Sequence, residues 1–269
     1  MGANADIFGG DHLFGDDLDD DQIRQWFADE EHGYFDLTSG VAQKIAEYDA
    51  LNEIALFSHI KRMRFDTCLA LGCARGNDIA PLAPLVNQFI AIEPSTEFWR
   101  DIINQKPAHY RKPTLRGLLN LADGSVDIAT AISVLHHIPN VTEVLTEIHR
   151  VLRPGGVLVM REPIVSMGDW RAPRRGLTKN ERGIPHKWLL NTLKSAGFGV
   201  EHATYFAFAP MQQLARWLKI MPYRNAWTTY LDLLLSAATI WNVQYHRTRL
   251  IQKIAPSAVA IVASKMGTP

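Results

Sequence analysis

Cysteine is scarce in this sequence, which has only Cys68 and Cys73 in 269 residues. The two thiols are poorly placed to pair with each other, and they are too few for a disulfide framework or a metal-binding cluster. We therefore expect a protein of a reducing compartment, the cytoplasm.

Net charge is also absent, because 28 lysines and arginines balance 28 aspartates and glutamates. Without a bulk positive field, nucleic acid is not an expected partner. The N-terminus lacks a basic segment followed by an apolar core, which argues against a secretory signal. The apolar run Tyr230–Trp241 is too short for a membrane-spanning helix and contains Asp232.

Apolar residues are plentiful, at 47% of the chain, which is enough for a substantial core in one elaborated domain. We predict an N-terminal helical cap over 1–64, a core over 65–209, and a helical insertion with the final core strand over 210–269.

The stretch 67–94 organises the prediction for the rest of the chain. Its pattern predicts an apolar strand over Thr67–Leu71, a turn with Gly72 and Gly76, a helix, and a second strand that ends at Glu93. Two such strands with an intervening helix form a parallel unit, whose carboxyl ends lie on one edge of a sheet.

Such a unit is typical of a cofactor site. Glycines allow a ligand to approach the backbone closely, and a carboxylate can accept hydrogen bonds from both ribose hydroxyls. The middle glycine of the dinucleotide fingerprint is replaced here by Ala74, which disfavours an NAD-dependent oxidoreductase. An ordinary strand-to-helix turn, with glycines for geometry alone, remains the alternative.

Strands and helices alternate over the following hundred residues, which predicts a parallel sheet covered on both faces. The first eighteen residues look loosely ordered, and the acidic run Asp19–Asp21 suits a helix N-terminus better than a metal site. The remaining predicted helices are one that starts at Thr38 or Ser39 and ends in the basic patch Lys61–Arg64, Thr96–Gln105, one capped by Asn140, Ile184–Ala196, Met211–Lys219 and Trp227–Leu250. The remaining predicted strands are Thr114–Arg116, Val126–Ser133, Val157–Met160, Phe198–Phe208 and Ser257–Ser264.

The segments LALGCARGND, AIEPS, DGSVD, SVLHHIPN and HRVLRPGGVLVMREP follow one another between about Phe65 and Phe208. In this order they resemble the class I S-adenosylmethionine-dependent methyltransferases with a small-molecule-type core. The resemblance implies an α/β, Rossmann-like, seven-stranded methyltransferase sheet, mostly parallel with a last antiparallel strand and with helices on both faces. It also implies S-adenosyl-L-methionine as the cofactor and transfer of its methyl group to a nucleophile.

The resemblance further implies which residues bind the cofactor. It places the turn glycines beside the methionine part, the acid on the ribose, and two leucines near the adenine. Three departures from the usual pattern are Ala70, Ala74 and the segment Leu115–Gly117, which lacks an acid. The predicted cofactor-binding residues are Leu71, Gly72, Gly76, Glu93, Pro94, Leu118, Leu119 and Ser133.

Candidate catalytic groups follow the fourth and fifth strands of the predicted core. His137 is the leading candidate for a general base, followed by His136 and then Glu162. A structural role for each histidine, such as a hydrogen bond that closes the turn, is the alternative. No carboxylates stand at recognisable metal-ligand spacing, so we predict no required metal.

A basic segment, Trp170–Lys187, follows the fifth strand on the ligand side of the sheet. Arginines dominate it, which suits recognition of phosphate or carboxylate on an anionic acceptor, whereas a solvated basic loop is the alternative. The predicted substrate-binding residues are Arg161, Trp170, Arg171, Arg174 and Arg175.

Two functions are compatible with these patterns. The first is a methyltransferase that acts on oxygen or nitrogen of a small or glycan-like, anionic acceptor. The second is a methyltransferase-fold protein that has lost turnover and serves as a binding or scaffolding subunit. The helical insertion after Pro210 either packs internally or makes a peripheral membrane or partner contact.

Overall fold

The computed structural model describes residues 8–38, 47–174 and 176–267, which form one sheet flanked by helices. In this described part the α-helices are α1 Asp20–Thr38, α2 Asp49–Ala55, α3 Val141–Val151, α4 His186–Ser195, α5 Ala209–Leu218 and α6 Ala226–Thr239. The strands are β1 Phe65–Leu71, β2 Val86–Ile92, β3 Ile102–Ile103, β4 Lys106–Arg111, β5 Val126–Ile132, β6 Leu152–Pro163, β7 Phe198–Phe206 and β8 Ala258–Lys265.

The eight strands are arranged in the order β3-β4-β2-β1-β5-β6-β8-β7. Neighbouring strands from β4 to β6 are parallel, and β8 runs antiparallel to both β6 and β7. The predicted fold class is therefore confirmed, with the two-residue β3 as an additional edge strand. Because β1, β2, β5, β6 and β7 all end on the same side, that side is called the carboxyl edge below.

The central strands are buried on both faces, as a parallel sheet covered by helices requires. Every residue of β5 is buried. Alternate residues of β1 enter two separate apolar clusters, with Leu69 packed on the side of α3 and α4 and Cys68 on the side of α2.

The N-terminal segment contradicts the expectation of loose order where the structure describes it, from residue 8 onward. Leu13 is buried in the core, and the Asp16 carboxylate accepts hydrogen bonds from the amide and the hydroxyl of Thr142 at the start of α3. Asp16 therefore caps α3. The predicted cap, Asn140, donates its side-chain amide to Glu143 and Arg116 instead.

The acidic start of α1 is a cap, as predicted, because Asp19 and Gln22 each accept the backbone N–H of the other. The second predicted helix falls partly on residues 39–46, which lie outside the described residues. Its described part, α2, begins only at Asp49, since Tyr48 has a non-helical ψ of 16° and φ of −122°. The helix also ends at Ala55, before the predicted basic patch Lys61–Arg64, because Leu56 leaves the helical conformation.

Two further helix predictions were wrong. The helix expected after the glycine turn is a 3₁₀ helix, Ala80–Leu85, because Pro84 inside it has no N–H to donate. The helix expected over Thr96–Gln105 is a short 3₁₀ turn followed by the hairpin β3–β4, whose two turn residues, Asn104 and Gln105, both have positive φ.

One predicted strand and the end of one predicted helix also differ from the structure. The strand expected at Thr114–Arg116 is a turn, closed by a hydrogen bond from the amide of Gly117 to the carbonyl of Thr114, and the fourth strand ends at Arg111. The last predicted helix ends at Thr239 instead of Leu250, where the chain turns inward to bury Tyr245.

The insertion comprises residues 207–257, which connect β7 to β8. It leaves the sheet at Phe206 and returns at Ala258, and these two residues pair with each other on the carboxyl edge. Among the helices that the structure describes, none is both long enough and apolar enough to cross a membrane.

Candidate functional site

The carboxyl edge brings most of the predicted site residues together, because the ends of four parallel strands are adjacent there. Leu71 of β1 pairs with Ile92 of β2 and with Ala131 of β5, which in turn pairs with Met160 of β6. The predicted residues that lie within or directly after these strand ends are Leu71, Gly72, Glu93, Pro94, Ser133, His136, His137, Arg161 and Glu162.

The turn after β1 has three residues in the left-handed region, Gly72 at φ 56°, Ala74 at 46° and Gly76 at 80°. A Cβ atom on Gly72 would lie 2.2 Å from Val134, and one on Gly76 would lie 2.4 Å from Ile103. Both glycines are therefore required by the packing of the protein itself, a reason that the sequence pattern does not distinguish from ligand approach.

Glu93 lies at the end of β2 with only 5% of its surface exposed. Its carboxylate accepts hydrogen bonds from the amides of Ala74 at 3.0 Å and Ser95 at 3.3 Å. Burial raises its pKa, although the two amide donors oppose this shift. The ion pairs within the described residues do not include Glu93, so this buried carboxylate has acceptor capacity left for a ligand.

The backbone around Glu93 is held by neighbouring aromatic side chains. The Trp99 indole donates to the Glu93 carbonyl at 3.1 Å, and the Tyr110 hydroxyl donates to the Ala74 carbonyl at 2.7 Å. The turn and the acid are thus fixed relative to each other.

The two leucines predicted near the adenine differ in their surroundings. Leu119 is buried, with its amide donating to the Glu147 carboxylate at 2.8 Å, whereas the Leu118 side chain is 58% exposed. Leu118 therefore offers an open apolar surface, and Leu119 belongs to the core.

Glu162 is buried behind the histidines. One of its carboxylate oxygens accepts the amides of Val134 and Leu135, and the other lies 2.6 Å from Nδ1 of His136. These contacts make Glu162 a positioning group for the turn after β5, and they do not expose it as a base.

His137 is held in a similar way by a residue that sequence analysis missed. Its Nδ1 lies 2.8 Å from the carboxylate of Glu30 in α1, which also accepts the Thr178 hydroxyl and the Asn180 amide. Burial raises the pKa of Glu30, but the hydrogen bonds from His137 and Thr178 outweigh it and leave the pKa lowered. Glu30 is 107 residues from His137, so no local signal connects them.

The tautomer of both histidines follows from these contacts. A carboxylate oxygen only accepts, so Nδ1 of each ring carries the proton, and Nε2 of the neutral ring is an acceptor. His136, His137 and Glu181 also form the group with metal-ligand chemistry in the described chain, with ligand atoms within 4.8 Å of one another. The predicted lack of a required metal stays a prediction.

Arg161 is 3% exposed at the end of β6. Its guanidinium donates to Asn52 at 2.6 Å and to Ser133, and it lies 4.0 Å from the centre of the Tyr48 ring. Among the described residues the only carboxylate within ion-pair distance is that of Asp78, at 3.8 Å. The positive charge is therefore weakly compensated.

The basic loop, residues 164–185 between β6 and α4, uses most of its cations internally. Arg174 donates to the carbonyls of Thr178, Lys179 and Glu181, and Arg171 pairs with Asp169. These two arginines were predicted to bind the acceptor, and the structure engages both in contacts within the loop. Arg175, the fifth predicted residue, lies outside the described residues.

Trp170 is enclosed by aromatic rings of the N-terminal segment. Phe8 and Phe14 stack on it at 4.6 and 5.2 Å between centroids, and its indole donates to the Ser166 carbonyl. Its role in this structure is to fasten the basic loop to the segment before α1.

Comparison with known proteins connects this geometry to a family. Residues 69–160 match the family model described as a methyltransferase domain. An uncharacterized 37.1 kDa protein in a transposon of Streptomyces fradiae is 37% identical over 117 residues, which cover 39% of this chain and 31% of that protein. The chain thus spans about a third of the length of this relative.

Solved structures share the fold at low identity. An S-adenosylmethionine-dependent methyltransferase from Mesorhizobium loti has a TM-score of 0.51 at 18% identity, covering 82% of this chain and 98% of its own. The (4+2)-cyclase SpnF has a TM-score of 0.54 at 16% identity, covering 93% of this chain and 98% of its own.

Residues 69–160 thus form a methyltransferase domain by their match to the family model, and the sheet around them has the fold of S-adenosylmethionine-dependent methyltransferases. Both findings agree with the resemblance seen in the sequence, and S-adenosylmethionine is the cofactor that proteins with this domain and fold use.

Proposed function

We propose that this protein transfers a methyl group from S-adenosylmethionine to oxygen or nitrogen of a small, anionic, glycan-like acceptor. The observation that carries the proposal is the placement of Glu93, His137 and Arg161 on one carboxyl edge of a methyltransferase sheet. The first supplies a cofactor-binding carboxylate, the second a base, and the third a positive charge.

The residues fit the cofactor. Among the described residues, Glu93 accepts hydrogen bonds from only two amides, whereas a carboxylate has about four acceptor positions, so about two remain for the ribose hydroxyls. The 58% exposed Leu118 offers apolar contact to the adenine. When bound, S-adenosylmethionine supplies an electrophilic methyl group on a sulfonium sulfur.

His137 serves the other half of the reaction in this proposal. Its Nε2 accepts the proton that the acceptor hydroxyl or amine loses as the new bond to the methyl carbon forms and the bond from carbon to sulfur breaks. Glu30 is the positioning residue, because its carboxylate holds Nδ1–H and stabilises the protonated ring. A positioned base contributes about a hundred- to ten-thousand-fold to the rate.

Arg161 supports the anionic character of the acceptor, a role that the contacts of Arg174 and Arg171 leave to it. A guanidinium has five N–H donors, and the acceptors of Arg161 among the described residues are only Asn52 and Ser133. A phosphate or carboxylate could accept the remaining donors. If the acceptor carries a lipid anchor, the predicted membrane contact of the insertion would place the protein at the membrane where that acceptor lies.

Free thiols support the predicted cytoplasmic location as part of this proposal, since Cys68 and Cys73 are both unpaired. Exclusion of nucleic acid as the acceptor rests, as before, on the zero net charge.

Calorimetry tests the cofactor assignment. Glu93→Gln should weaken S-adenosylmethionine binding by at least about tenfold, because ribose hydroxyls lose a charged acceptor. Glu97→Gln is the matched control, since Glu97 is exposed four residues later. Equal affinities in both variants would remove Glu93 from the cofactor site.

Radiolabelled methyl transfer to a panel of phosphorylated and carboxylated sugars tests the catalytic part. His137→Ala should lower kcat by about a hundred- to ten-thousand-fold with cofactor affinity intact, whereas His109→Ala, an exposed control on β4, should not. Glu30→Gln should lower kcat with little change in KM. An unaltered kcat in a folded His137→Ala variant would exclude His137 as the base.

Arg161→Met should raise KM for anionic sugars and leave KM for their neutral parents unchanged. Cofactor affinity, measured in parallel, reports whether the buried substitution has disturbed the site as a whole. A uniform rise in KM across charged and neutral sugars would contradict a role in anion recognition.

A binding protein without turnover is the second candidate. It is favoured by Ala74, which holds a φ of 46° where glycine is unstrained, and by a cyclase of the same fold, so that the fold alone is not evidence of methyl transfer. Binding of S-adenosylmethionine and of its demethylated product, without transfer to any of the panel, would support this function.

A further inference from the structure

The insertion exposes an unusual amount of apolar surface. Fourteen of the twenty exposed large hydrophobic side chains of the described chain lie between Leu214 and Ile254. Three are tryptophans with about four fifths of their surface exposed, Trp217 at 78%, Trp227 at 80% and Trp241 at 80%. A concentration of this kind marks an interaction surface, because single exposed apolar residues are normally scattered.

Helix α6 has its polar side inside and its apolar side outside. The residues it buries are Thr229, Asp232 and Ser236. Those it exposes include Tyr230, at 56%, and Leu234, at 67%. An amphipathic helix of a water-exposed surface has the opposite arrangement.

Asp232 fixes this orientation. Its carboxylate accepts the amides of Ala207 and Phe208 at 2.9 and 3.0 Å, where the chain leaves β7. The helix therefore cannot rotate its apolar side inward without breaking both hydrogen bonds. We give the name apolar insertion face to the exposed apolar side chains of α6 together with those of the neighbouring segments of the insertion. It is defined by Trp217, Trp227, Leu234, Trp241, Leu250 and Ile251.

The charges around this face are of one sign. Residues 209–256 contain six lysines and arginines and a single acid, Asp232, which is buried. Arg247 is engaged with the carbonyls of Ala255 and Pro256, and the other five cations, Arg216, Lys219, Arg224, Arg249 and Lys253, are exposed. In a chain of zero net charge, this is a local excess of positive charge beside exposed tryptophans.

We propose that the apolar insertion face docks onto an anionic lipid bilayer surface. Tryptophan and leucine side chains enter the boundary between headgroups and acyl chains, and flanking lysines and arginines pair with anionic headgroups. A second copy of the chain fits less well, because a two-fold interface through this face would bring five exposed cations against the same five.

The apolar insertion face belongs to a segment that begins at the carboxyl edge, so docking would affect where the proposed reaction takes place. The insertion begins at the carboxyl edge. The ring of its Tyr223 stacks on the ring of Tyr48, with 5.4 Å between the centroids, and the Tyr48 ring in turn contacts the guanidinium of Arg161. A docked molecule would hold the carboxyl edge near the headgroups, where a lipid-linked acceptor presents its polar part. This consequence rests on the proposed function, whereas docking itself does not.

Vesicle sedimentation tests docking without any turnover. The full chain should bind vesicles of phosphatidylglycerol and phosphatidylcholine at least about tenfold better than vesicles of phosphatidylcholine alone, and added salt should weaken that binding. Replacing Trp217, Trp227 and Trp241 together by serine should abolish it. Ile102→Ser is the matched control, because Ile102 is 61% exposed at the opposite end of the sheet.

The electrostatic part has its own pair of variants. Arg224→Glu with Lys253→Glu should weaken binding to the anionic vesicles by at least about tenfold, and Arg62→Glu, an exposed cation outside the insertion, should not. Circular dichroism checks that each variant is folded.

Three outcomes would overturn the proposal: no binding to either vesicle, binding that ignores lipid charge, or a stable dimer that the tryptophan substitutions dissociate. The last would assign the face to a second copy. If the unmodified chain binds vesicles but transfers no methyl group to the acceptor panel, that result would contradict the proposed function and would not contradict docking.

Discussion

The basic loop and the insertion both contain many cations, but the two regions use them differently. In the basic loop the guanidinium of Arg182 is fully buried and donates to the carbonyls of Phe14, Leu135, His136 and Pro139. In the insertion the buried charge is the acid Asp232, and five cations face outward.

The difference teaches how to interpret a basic segment. An arginine whose donors are taken by backbone carbonyls is a structural cation, and its charge is not available to a ligand. The basic loop has the higher density of arginine, yet its four described cations, Arg171, Arg174, Lys179 and Arg182, all have partners in the protein. Exposed cations that form no ion pair with the described residues are found instead in the insertion.

The largest expected effect follows from this comparison. Arg182→Met should lower the free energy of unfolding by about 3 to 5 kcal/mol, because buried carbonyls lose a charged donor. Urea unfolding measures it. Arg171→Met, in the exposed part of the same loop, is the control and should cause no measurable change. Equal midpoints for the two variants would show that Arg182 does not hold the loop.

Asp232→Asn should lower the free energy of unfolding by about 2 to 3 kcal/mol at neutral pH, because the side-chain amide of asparagine cannot accept both backbone N–H groups equally well. Burial raises the pKa of Asp232, so the folded state holds its proton more tightly than the unfolded state. The contribution of Asp232 to stability is therefore greatest at low pH and falls as the pH rises through that raised pKa.

The measurement is the difference in unfolding free energy between the parent and Asp232→Asn across a pH series. A difference that grows with rising pH would contradict the raised pKa. Loss of anionic vesicle binding in this variant would be expected as well, since the outward orientation of α6 depends on Asp232.

Glu30→Gln should lower the free energy of unfolding by a smaller amount than Asp232→Asn, about 1 to 2 kcal/mol, and the effect should have the opposite pH dependence. The pKa of Glu30 is lowered overall, so its contribution is complete above about pH 4.5 and is lost as the pH falls through the lowered value. The same parent-to-variant difference across pH measures it. A pH-independent difference would mean that the charge of Glu30 does not stabilise the basic loop.

The smallest effect is expected for an exposed cation of the insertion. Arg224→Met should change the free energy of unfolding by less than about 0.5 kcal/mol, because its guanidinium is exposed and forms no hydrogen bond or ion pair with the described residues. Thermal unfolding measures it. A large loss of stability would mean that Arg224, like Arg182, is a structural cation, and the contrast between the two regions would fail.

Local patterns predicted the central strands well. An apolar run bounded on one side by glycine, or by an acid and proline, is enough to mark β1, β2, β5 and β6, because burial on both faces leaves little freedom in composition. The hairpin β3–β4 was missed because its turn, Asn104–Gln105, lacks the glycine that usually marks two residues of positive φ.

The sequence by itself determined the sheet, the methyltransferase domain that residues 69–160 match, and the positions of Glu93, Ser133, His136 and His137 at strand ends, because chain order and strand direction decide which residues share the carboxyl edge. Only the tertiary structure decided what each charged side chain does there. Glu30 reaches His137 across 107 residues, and Arg182 reaches Phe14 across 168. Burial and hydrogen bonding between distant segments distinguish the proposed base from its positioning residue, and a structural cation from one that is free to bind a ligand.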